Sequence, residues 1–186
     1  NLRADRQPEF TQIDLEMSFV DRETVMEVME GYVRRLWKEV LGVEVPALRR
    51  MSYADAMNRY GIDRPDLRYD LELEDVSDLA ERTDFKVFRE ALNKGTTTHD
   101  RGMVKAMRVP GGADKLTRKM TDGYTEFVRQ FGAGGVPVAK YTGKGETGGF
   151  ETGVARFLEP IAGELVERLA LEPGDTVLFG ADSAPV

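Results

Sequence analysis

An α+β fold follows from three features of this 186-residue chain. Apolar residues recur at helical spacing in segments that open on a capping residue and close on glycine. Short apolar runs of strand length lie between these segments in the second half of the chain. Turn-forming Gly and Pro residues separate the two kinds of element, with no internal repeat. Helices interleaved with short strands in this way make a compact mixed domain.

The first element is the stretch LRADRQPEFTQIDLEMSF, Leu2 to Phe19. A charged, turn-prone loop leads into strict alternation, with Thr11, Ile13, Leu15, Met17 and Phe19 on one side and Phe10, Gln12, Asp14, Glu16 and Ser18 on the other. Period-two alternation of this length predicts a strand with one face in a core. Its polar face carries a ring, an amide and two carboxylates. Two readings stay open: an ordinary half-exposed antiparallel strand, or a pocket floor beneath arginines suited to phosphate.

Asp21 then caps a helix whose Val25, Val28, Met29, Tyr32, Leu36 and Val40 share a face, stopped by Gly42. This helix is expected to cover the apolar side of the opening strand. Ser52, with Asp55 three residues on, caps a second helix ending at Gly61. Pro65 sits among charged residues in an ordered linker, and a domain boundary is expected near Arg68. Beyond it, Phe85 to Phe88, Met103 to Val109, Val136 to Tyr141 and Thr176 to Phe179 read as strands. Asn93 to Arg101 reads as a loop, and Asp114 to Phe131 as one helix closed by Gly132. Val154 to Leu169 reads as a helix that Pro160 kinks or restarts, and Glu172 to Asp175 as a turn.

Composition bounds the function. With 41% hydrophobic and 32% charged residues, the chain is an ordinary soluble globular sequence able to bury a core. A net charge of −7 argues against binding nucleic acid over the whole surface but leaves room for a local basic loop. The absence of cysteine removes disulfides, thiolate metal sites and thiol nucleophiles, and fits a cytoplasmic location. No apolar run reaches membrane-spanning length, so no membrane partner is expected.

Several motifs read as structure. The glycines of Gly143 to Gly149 lack the order of a phosphate-binding loop and fit a mobile loop. Gly111-Gly112 ahead of Asp114 fits a tight turn better than an anion site. His99 is the sole histidine and lies in a polar loop, which leaves no Ser/His or metal constellation. Arg34, Arg35 and Lys38 read as a solvated helix face.

Arg6-x-x-x-Phe10-x-x-x-Asp14 resembles the second half of motif 2 of class II aminoacyl-tRNA synthetases, and LRADRQPEFTQID resembles that motif in the bacterial-type aspartyl-tRNA synthetase family. MSYADAMNRYG with DRPDLR, AMRVPGGA, LTRK, GVARFL and FGAD follow in the family's order, so the likeness covers nearly the whole chain. Asn1 departs from the family's usual Asp. The Arg and Glu that open motif 2 are expected before Asn1, and motifs 1 and 3 are absent, so an internal fragment is expected. The resemblance implies a piece of the antiparallel-sheet catalytic domain over 1–68. It also implies a small α+β insertion domain of the GAD type, shared with the B subunit of the tRNA-dependent amidotransferase, over 69–186.

The activity it implies is ATP-dependent ligation of L-aspartate to tRNA(Asp), with Mg²⁺ accompanying ATP, no metal ligands in this segment, and a homodimeric parent. Arg6 would meet the polyphosphate as the catalytic arginine, Gln7 would contact ATP and Phe10 would stack on adenine. Gln12 and Asp14 would bind aspartate, and Arg3 would approach the tRNA acceptor stem. Glu16 has no assigned role. A reading from another class is a non-catalytic tRNA- or protein-docking module. The motif-2 string weighs against an amidotransferase origin.

Overall fold

A computed structural model describes residues 9–95, 101–145 and 147–183. The chain forms two compact units, Asn1–Arg50 and Met51–Val186. Each is described on its own.

In the first unit the regular element among the described residues is α1 (Arg22–Leu41). Asp21 starts it as expected: its backbone is extended, and its carboxylate accepts the Thr24 N–H at 2.8 Å and the Thr24 hydroxyl at 2.7 Å. These bonds satisfy a helix-end donor that has no intrahelical partner. Gly42, at φ 68°, ends the helix in the left-handed conformation that lacks a steric penalty only for glycine. The following tail turns back along α1. Arg34 Nε donates to the Val45 carbonyl (3.1 Å), the Leu48 N–H donates to Glu30 (3.2 Å), and Arg50 donates to Glu23 (2.7 Å). As the tail advances its partners retreat toward the helix N-terminus, so it runs antiparallel to α1.

The opening strand is not formed. Residues 9–20 adopt no helix or strand, and the row expected to face a core is open to solvent, from Ile13 at 62% to Met17 at 38%. A strand exists by pairing, and no described segment of the first unit offers this one a ladder. Phe19 has φ 59° and lies fully exposed, which ends any extended run there. Nor does α1 supply the expected cover: it has no buried residue, and Val25, Val28, Met29 and Trp37 stay about two-fifths exposed.

The second unit holds the core. Its α2 (Tyr53–Tyr60) begins at Ser52, whose hydroxyl accepts the Asp55 N–H, and ends at Gly61 with φ 70°. A five-stranded antiparallel sheet follows in the order β1-β2-β5-β3-β4. Its strands are β1 (Leu73–Asp75), β2 (Gly102–Val109), β3 (Val138–Tyr141), β4 (Phe150–Glu151) and β5 (Thr176–Ser183). The helices are α3 (Ser77–Ala80), α4 (Lys86–Leu92), α5 (Gly112–Lys115), α6 (Arg118–Arg129), α7 (Ala155–Leu158) and α8 (Ala162–Arg168). Alternate residues Val104 and Ala106 of β2, and Val177 and Phe179 of β5, form one buried face with Phe88, Leu158 and Leu165. Phe88 stands edge-on to Phe85 and 5.3 Å from Phe179, which locks α4 over the middle of the sheet.

Two expectations are corrected here. Phe85 to Phe88 is not a strand: Phe85 precedes α4, and its carbonyl accepts the N–H groups of Phe88 and Arg89. Phe88 and Ala91, three apart, are its buried residues, a helical spacing that the short window hid. The helix from Asp114 is two helices, because Leu116 is extended and the Thr117 side chain caps α6 afresh. The base of the glycine-rich loop is closed by the N–H groups of Thr142 and Gly143, which both donate to the Gly149 carbonyl. Pro160 acts as expected, sitting in a 3₁₀ turn, Glu159–Ile161, between α7 and α8. The last strand runs on from Phe179 to Ser183, and β1, α3 and β4 are additions of two to four residues each.

Candidate functional site

Of the residues with an expected role, Arg3, Arg6 and Gln7 lie outside the described residues, as does His99. Phe10, Gln12, Asp14 and Glu16 all fall in the irregular segment before α1 and are exposed, Phe10 by 74%. A pocket floor requires one side of the segment to be buried, and here both sides are open. The four residues are thus present in sequence order on one accessible stretch without a wall around them. The nearby basic cluster is neutralised locally: on the helix Arg35 meets Glu39 at 2.8 Å and Arg34 meets Glu30 at 3.8 Å, and Lys38 meets Glu44 of the tail beyond Gly42 at 2.6 Å. That is the behaviour of a solvated helix face.

The second unit is rich in charge, and several of its charges are paired with one another. A cleft of about 330 Å³ is lined by Asp75, Ser77, Asp78, Arg101 and Met103. Asp75 accepts the Ser77 N–H at 3.0 Å, and Asp78 pairs with Arg168. The hydrogen bond from Arg168 holds the Asp78 carboxyl below its ordinary range. Arg82 and Glu164 make a second pair with two contacts, at 3.0 and 2.5 Å.

Asp175 is the most deeply buried carboxylate among the described residues. One of its oxygens accepts the Gly111 N–H, and the other accepts the Glu172 N–H, both at 2.9 Å. Arg108 Nε lies 2.7 Å from the second oxygen, an ion pair whose N–H is not well aligned with it. Burial pushes the Asp175 carboxyl up, but the two backbone donors and the Arg108 charge outweigh it and hold the group low. Gly111-Gly112 therefore faces an anion supplied by the chain itself, within a turn. Sequence reading named these glycines but not their partner, because Asp175 lies far along the chain.

Among the described residues no group of three or more His, Asp or Glu is gathered to hold a metal ion. In the cleft of about 330 Å³ the Ser77 hydroxyl lies beside Asp75 and accepts the Val104 N–H at 2.9 Å, which ties it to β2. The sheet unit is an antiparallel α+β body in which Asp175 and Asp75 brace its own turns.

Comparison with known proteins places the chain. It belongs to the class II tRNA synthetases (D, K and N), a family it matches over residues 1–131, and residues 88–186 match the GAD domain. It is 45% identical to the aspartate–tRNA(Asp/Asn) ligase of Magnetococcus marinus and 47% identical to the aspartate–tRNA ligase of Staphylococcus carnosus, in both cases over its whole length. The chain spans about three-tenths of those relatives, 31% and 30% respectively.

Proposed function

We propose that this chain is part of an aspartate–tRNA ligase, joining a piece of the catalytic domain over 1–68 to a GAD-type insertion domain over 69–186. The supporting observation is 45% and 47% identity to two such ligases in alignments that cover the whole chain, together with the two matched family regions. In the reaction proposed, the α-carboxylate of aspartate attacks the α-phosphorus of ATP and displaces pyrophosphate. The terminal adenosine of tRNA(Asp) then takes the aspartyl group from the adenylate.

Such chemistry rests on positioning and charge neutralisation. Arg6 is suited to the polyphosphate because its guanidinium forms paired bonds to phosphate oxygens. Gln7 contacts ATP, and Phe10 offers the adenine a ring face. Gln12 and Asp14 receive the amino-acid end, Asp14 supplying the counter-charge to its ammonium. Arg3 meets the acceptor stem. Mg²⁺ accompanies ATP in this proposal, but the described residues gather no ligand set for it, so no step here runs through the ion. A homodimeric, cytoplasmic parent completes the reading. The insertion domain takes the accessory role, consistent with side chains that are spent on internal bonds.

The test uses the full-length parent. Asp14→Ala removes one partner of a charge pair, a loss of about 2–5 kcal/mol, so ATP–pyrophosphate exchange should fall by orders of magnitude. Arg3→Ala should leave exchange nearly unchanged while slowing aminoacylation, with a penalty that shrinks as salt rises. Full exchange by Asp14→Ala, or equal loss of both activities by Arg3→Ala, would overturn the assignment.

A further inference from the structure

We draw no further inference here: the strongest candidate, the exposed apolar stripe of Met120, Tyr124 and Phe127 on α6 that Phe131 continues past the helix end, is an unpartnered helix face, and nothing in the structure shows what covers it.

Discussion

Asp175 shows how much a single buried carboxylate can hold. Its two oxygens serve two backbone donors and one guanidinium, and they join the turn before β5 to the turn after β2. Asparagine has the same shape but one acceptor oxygen, so Asp175→Asn would leave a donor facing an amide N–H₂. The expected loss is about 1.5–3 kcal/mol, the range for a hydrogen bond to a charged group. It would be read from the midpoint of urea unfolding. The folded carboxyl is held below its unfolded value, as are those of Asp75, Asp78 and Asp182. Their contribution is therefore complete above the unfolded pKa, about 3.9, and is lost as pH falls through the lower folded values. Wild-type stability should drop on acidification through that window, and Asp175→Asn should flatten the drop. An unchanged pH slope in the variant would show that Asp175 is not a principal source of it.

At the scale of elements, stability concentrates where a helix meets the buried face of the sheet. Phe88 is 1% exposed and stacks among Phe85 and Phe179. Phe88→Ala should cost about 3–5 kcal/mol, lowering the unfolding midpoint of the second unit without altering α1. Separate monitoring of Trp37, which lies on α1, gives the control. A midpoint shift well under that range would mean that α4 collapses onto the gap.

Elements also divide by how far the sequence revealed them. Helix ends were legible where one side chain decides them: Asp21, Ser52, Gly42 and Gly61 all act where their chemistry says they should. Pro160 breaks its helix for an equally local reason. Phe85 to Phe88 misled because four residues do not distinguish a strand from a helical turn, and the deciding residue, Ala91, lay outside the window. The stretch Phe10 to Phe19 has the alternation of a strand, but alternation states a preference and pairing supplies the structure. Its candidate residues were therefore legible as chemistry before they were legible as geometry, and only Phe10, Gln12, Asp14 and Glu16 among them are described.

At the scale of the molecule, the two units differ in kind. The first keeps its apolar side chains in water, and the second encloses a core of its own. The order β1-β2-β5-β3-β4 places β5 in the middle of that second unit, bonded to β2 on one side and β3 on the other. A chain ended after Glu172 would retain four strands but lose the one that joins them. It should show no cooperative unfolding transition by circular dichroism, and native-like cooperativity in that truncation would contradict the central place given to β5.

The same topology bears on birth as well as stability. Strand β2 is completed at Val109, yet its long partner does not begin until Thr176. A ribosome adding roughly 5–20 residues each second would hold the nascent sheet in two unjoined halves for several seconds. During that interval β2 and β3 present open edges of the kind that recruit foreign strands. The final eight-residue strand thus acts as a keystone delivered last, and slowing translation just before Thr176 would lengthen the exposure without changing one residue of the finished protein.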